Sequence, residues 1–157
     1  MAVFLSAAAL FVSLSRGDES APVAPTAPPE PAASASTASE DKALCEAIAP
    51  LMTESNRDAN AWTELGKQGT PASDAALPEF ITKTEAWVPR AQQLLDDSRD
   101  AAPAFRRDLQ RYIDDIRIYA TNVKPGPPKV YDAAAWSDSL MAYFAVKSTC
   151  ADVGVSW

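Results

Sequence analysis

The stretch from Phe105 to Val123 places Phe105, Leu109, Tyr112, Ile113, Ile116, Tyr119, Ala120 and Val123 at three- and four-residue intervals. That spacing lines side chains up along one side of an α-helix. Arg107, Arg111, Asp114 and Asp115 fall largely on the other side. A helix with so wide an apolar face cannot stand alone in water and must be covered by partners. This demand confines the chain to a helical core, and the rest of the sequence reads as three more helices that supply it.

The first helix is expected to begin at Ser39–Asp41, with Ser39 as N-cap and acidic residues in the first turn. Its apolar positions are Leu44, Cys45, Ile48, Leu51, Met52, Ala59, Trp62 and Leu65, with Gly66 as the stop and Pro50 as a kink or restart. Thr70 or Ser73 caps the second helix, whose seam runs through Leu77, Phe80, Ile81, Thr84, Trp87, Val88, Ala91, Leu94 and Leu95. Pro78 belongs to its first turn and Pro89 to a bend. Pro103 suits the first turn of the organising helix, and the run KPGPP ends it. Asp132 caps a fourth helix with Trp136, Leu140, Tyr143, Phe144 and Cys150 facing the core. The short connections favour antiparallel neighbours, so residues 41–157 read as an all-α, up-down-up-down four-helix bundle.

Two segments precede it. Residues 1–15 are almost wholly apolar and uncharged, with the length of a signal-peptide core or a short membrane anchor. No basic residue precedes the run, and the small-x-small site Ser13-Leu14-Ser15 is a weak cleavage match. Translation from upstream of Met1 would lengthen the run into an uncleaved anchor. Residues 16–40 are rich in Pro, Ala, Ser and Thr, with no periodicity, and read as a disordered linker. Arg16-Gly17-Asp18 spells an adhesion tripeptide, but three residues recur by chance.

The up-down topology puts the start of the first helix and the end of the fourth at the same end of the bundle. Cys45 and Cys150 lie near those two points, where a disulfide can form; two unpaired core thiols are the alternative. A disulfide suits an exported protein.

Chemistry is sparsely provided for. The chain has no His, which removes the commonest general base and metal ligand and any Ser-His or Cys-His pair. Of 14 basic and 21 acidic residues, one and four respectively lie in residues 1–40, leaving the domain a net charge of −4 that disfavours a nucleic-acid ligand. Asp114 and Asp115 are adjacent and point about 100° apart on a helix, so they cannot share a substrate. Glu54 with Asp58, and Asp108 with Asp115, can share faces, but polar ones. Trp62, Trp87, Trp136 and Trp157 read as core and rim packing, or as the lining of an apolar cavity. No cofactor, metal or catalytic residue is expected.

Leu44-Cys45, the GTP at 69–71, LQRYIDDIRIYATNVKPG at 109–126, YDAAAWSDSLMAYF at 131–144, Cys150 and the closing GVSW together resemble a group of small exported actinobacterial proteins typical of mycobacteria. The resemblance covers about Leu44 to Trp157. It implies a cell-envelope setting, membrane-anchored or secreted, and carries over no catalytic residue. The expected function is a non-enzymatic envelope domain that binds a protein partner or membrane complex. The alternative is a bundle that holds a small apolar ligand or lipid between its helices. Pocket volume separates the two, since a dry packed core favours the partner domain.

Overall fold

The structure, a computed structural model, describes residues 32–157, with side chains from residue 37. The signal or anchor segment at 1–15, the adhesion tripeptide and the linker to residue 31 lie outside the described residues. Four helices form a bundle: α1 (Ala32–Glu64), α2 (Pro71–Asp97), α3 (Pro103–Asn122) and α4 (Val130–Asp152). None of these helices is long and apolar enough to cross a membrane.

The helix α3 sits where the sequence pattern demands. Phe105, Leu109, Tyr112, Ile113, Ile116, Tyr119, Ala120 and Val123 are all buried, against α2 on one side and α4 on the other, while α1 packs on α2. Two aromatic groups knit the layers together. Trp62, Phe80, Tyr119 and Trp136 stack and tilt against one another at centroid separations of 5.0–6.2 Å. Tyr112 takes the edge of Trp87 at 5.5 Å and meets Tyr143 at 5.8 Å. The buried Trp87 indole satisfies its N–H on the Leu51 carbonyl at 2.7 Å.

Helix ends show where local chemistry overrides the sequence expectation. The first helix begins at Ala32 rather than at Ser39–Asp41. Residues 32–40, expected in the disordered linker, are rich in Ala and Ser, and adding residues to a helix already nucleated by packing gains one hydrogen bond each. Asp41 is correspondingly no first-turn residue: it is buried, and it accepts the Ala102 N–H at 2.6 Å across the α2–α3 connection. Pro50 neither breaks nor restarts α1, and Pro78 and Pro89 lie inside a continuous α2. All three prolines are exposed, so the carbonyls they leave unpaired in the helix ladder lie toward the water side. Thr70 caps α2, its Oγ1 accepting the Ser73 N–H at 3.3 Å, with Pro71 in the first turn. The cap of α4 is Lys129 rather than Asp132. Asp132 lies at the third helical position, buried, and accepts the Lys129 N–H at 3.2 Å.

The fourth helix departs most from expectation. Tyr143 and Cys150 are buried, but Leu140 is 40% and Phe144 59% exposed, and Trp136 is half-buried. The buried stripe runs instead through Asp132, Ser139, Ala142, Tyr143, Val146 and Cys150. Nearly every face of α4 carries apolar residues, so periodicity leaves its phase open. Volume decides it, because the small Ser139 and Ala142 allow α4 to approach α3 closely. At the same end as the α4 N-terminus, Gly69 (φ +86°) packs so tightly on the Gly126–Pro127 backbone that a Cβ there would lie 2.6 Å from the Gly126 carbonyl carbon. Asp74 draws the two loops together by accepting the Gly126 N–H at 3.0 Å on each carboxylate oxygen.

Cys45 and Cys150, fully buried, form a disulfide with Cα atoms 5.4 Å apart, joining α1 to the end of α4 across 105 residues of sequence. Closing a loop of that length removes unfolded-state entropy equivalent to about 4–5 kcal/mol in the chain-entropy description. The double variant Cys45→Ala/Cys150→Ala should therefore lose several kcal/mol in urea unfolding, far more than the small packing change alone. Ile116→Ala, which empties a buried α3 position, should cost about 2–5 kcal/mol. Asp114→Ala, which removes only the exposed pair with Arg117, should stay within about 0.5 kcal/mol. Thermal melts of the two single variants check the assignment of the α3 faces.

Candidate functional site

A groove opens between α1 and α4. These helices barely touch beyond the disulfide, and the reason is in their facing residues. After Met52 the apolar residues of α1 turn toward α2, as Trp62 does against Phe80, and the side toward α4 presents Asn56, Ala59, Asn60 and Thr63. Short polar side chains provide no apolar area to draw a neighbouring helix in. A groove of about 350 Å³ results. Its α4 wall is Trp136, Ser139, Leu140, Tyr143, Phe144 and Lys147, and its floor is Tyr112 and Ile116 of α3.

The polar groups in the floor are held by partners on the protein. The Tyr112 hydroxyl shares a 2.6 Å hydrogen bond with Ser55, and burial pushes its pKa up to about 12 against the lowering effect of that bond. Tyr143 accepts the Trp157 indole N–H at 3.1 Å, which anchors the chain terminus beside α4. The ammonium of Lys147 lies 5.9 Å above the Tyr143 ring. Among the described residues, Lys147 is the only charged one lining the groove.

A smaller cavity of about 220 Å³ adjoins it around Trp62, Gln68, Tyr119 and Trp136. The Tyr119 hydroxyl donates to Gln68 Oε1 at 3.2 Å, and burial raises its pKa. Gln68 Nε2 and Asp132 Oδ1 have no hydrogen-bond partner among the described residues.

The acidic pairs singled out in the sequence are drawn apart by cations. Glu54 holds Arg90 of α2, with one of the two guanidinium contacts at 3.0 Å, whereas Asp58 pairs with Arg57 at 3.1 Å and Lys83 at 3.7 Å. Asp114 pairs with Arg117 at 2.9 Å. Asp115 pairs with Arg111 at 3.5 Å, and Arg111 reaches on to Asp138 of α4 at 3.4 Å. Burial raises the Asp115 pKa, with Arg111 acting in the other direction. No cluster among the described residues has three or more ligating side chains placed to hold a metal ion. Trp62 and Trp87 are buried and Trp136 and Trp157 half-buried, and of these only Trp136 lines the groove.

Sequence reasoning offered a pocket between helices only as an alternative and did not place it between α1 and α4. The signal for it is faint: two asparagines four residues apart in the α1 seam, and a fourth helix with more apolar residues than one core face can hold. Comparison of the chain with models of protein families, with curated proteins and with solved structures finds no match.

The shifted tyrosine makes a prediction. A group with a raised folded-state pKa loses its stabilising contribution as pH rises from the unfolded value, about 10, through the folded value. Stability should therefore be flat in this respect below pH ~10 and fall by roughly 2–3 kcal/mol by pH ~12 on account of Tyr112. Tyr112→Phe should remove most of that alkaline loss, at a cost near neutral pH of about 1 kcal/mol for the Ser55 hydrogen bond. Urea unfolding at a series of pH values checks both effects.

Proposed function

We propose that this protein is a non-catalytic binding domain that works outside the cytoplasm, and that its α1–α4 groove receives a small apolar ligand. One observation carries the reading: an aromatic-lined opening of about 350 Å³ beside the apolar core. That volume lies within the range of small-molecule sites, roughly 300–1,000 Å³. Leu140 and Phe144 remain exposed at its edge, apolar surface that a ligand would remove from water. The Cys45–Cys150 disulfide supports an oxidising setting. In this reading the helices run up-down-up-down. The contacts agree: residues 54, 58 and 62 of α1 meet 90, 83 and 80 of α2, and 112 and 119 of α3 meet 143 and 136 of α4. The apolar segment at 1–15 serves as signal peptide or anchor, and the envelope setting follows the resemblance to exported actinobacterial proteins.

Docking of an envelope protein or membrane complex is the second reading. It is favoured by the outer face of α4, where Val130 (89% exposed) and Met141 (64%) lie outside the groove as exposed apolar surface of the kind that marks interaction sites.

Titration with the uncharged apolar fluorophore N-phenyl-1-naphthylamine separates them. The groove reading predicts saturable one-site binding that Leu140→Asp weakens by roughly tenfold or more, about 1.4 kcal/mol. Met141→Asp, outside the groove, should leave binding within about twofold. Absence of saturable binding would contradict the ligand reading and leave the outer face of α4 as the functional surface.

A further inference from the structure

The shape and charge of the groove narrow its ligand. Its α4 wall spans Trp136 to Lys147 and its α1 wall Asn56 to Thr63, so at about 1.5 Å per residue it is roughly 10–17 Å long. The groove is therefore an elongated slot with aromatic and aliphatic side chains in its walls, a shape that suits an alkyl chain lying along it.

Its charge is placed at one end. Lys147 is the last groove residue along α4, half-buried, with its ammonium over the Tyr143 ring and in no ion pair among the described residues. Arg111, the cation of α3 that reaches across to α4, is held by Asp115 and Asp138. The remaining walls are apolar or neutral. An elongated, largely apolar slot with a lone cation at one end is complementary to a chain whose single polar end is an anion.

Resting on the ligand reading above, we infer that the groove binds a single-chain amphiphile with a carboxylate head, the head paired with Lys147 and the alkyl chain lying along Tyr143 and Leu140 toward Trp136. The chain contributes most of the affinity through buried apolar area. The head contributes selectivity, through a charge-assisted contact weakened but not abolished by partial exposure.

Calorimetric titration of the full chain with dodecanoate and, separately, with dodecanol tests this. The wild-type protein should bind both, dodecanoate about five- to tenfold more tightly at low ionic strength, with the preference shrinking as salt is added. Lys147→Gln should abolish the preference and leave dodecanol affinity within about twofold. Lys67→Gln, which removes an equal charge from the loop after α1, should leave the preference intact, and so excludes a general field effect. Equal binding of the two probes by wild type, or a preference that survives Lys147→Gln, would overturn the anionic head and leave the apolar groove standing. Binding of neither probe would overturn the groove itself.

Discussion

The contact that most depends on a single bond is the one between the first and last helices. Elsewhere the bundle is held by broad apolar faces: α3 lies between α2 and α4, and α1 lies on α2. Between α1 and α4 the apolar contact is thin, and the covalent Cys45–Cys150 bond closes the layer near one end. The helices are therefore fixed there and stand apart beyond it, where Asn56, Asn60 and Thr63 face the aromatic wall of α4. Had these been Leu or Ile, burial of roughly 1.5–3 kcal/mol each would have favoured closing the gap. The disulfide thus does two things at once: it limits the unfolded chain, and it keeps α4 in register with a neighbour that offers it little to pack against.

Carboxylates do structural work in this fold that their positions in the sequence conceal. Asp41 reaches from α1 to the Ala102 N–H, Asp74 reaches from α2 to the Gly126 N–H, and Asp132 turns back to the Lys129 N–H. Each satisfies a backbone donor at a connection between helices, where the helical ladder provides none. Two of them, Asp41 and Asp74, thereby tie loops to helices distant in sequence. Glu54, Asp58, Asp114 and Asp115 are bound to Arg90, Lys83, Arg117 and Arg111 respectively, which spreads the charge of the acidic chain instead of concentrating it at one point.

How much of this was legible in the chain differs by element. In α3 the apolar and charged residues are divided except for Ile118, which is exposed, so one phase of the helix satisfies burial and all eight predicted positions are inside. The seam of α2 is nearly as clear. In α4 the apolar residues surround the helix, and Leu140 and Phe144 are as hydrophobic as the residues that are buried. What selects Ser139, Ala142 and Val146 is the fit against α3, a property of three-dimensional packing that spacing does not encode. The start of α1 was misplaced because Pro-rich composition masks the helical preference of the alanines just after it. The cysteine pair was readable because connection lengths place the two helix ends together. The groove was not, because it arises from a mismatch between two helix faces, each of which looks ordinary alone.

The central claim is that the α1–α4 gap is a site for an alkyl chain, rather than a packing fault. Amide chemical-shift mapping during titration of isotopically labelled protein with dodecanoate tests it most directly. The account predicts shifts confined to the groove walls, at Asn56, Asn60, Ser139, Leu140 and Lys147, with the outer residues Val130 and Met141 unmoved. Shifts centred on Val130 and Met141, or no shifts at saturating ligand, would contradict it.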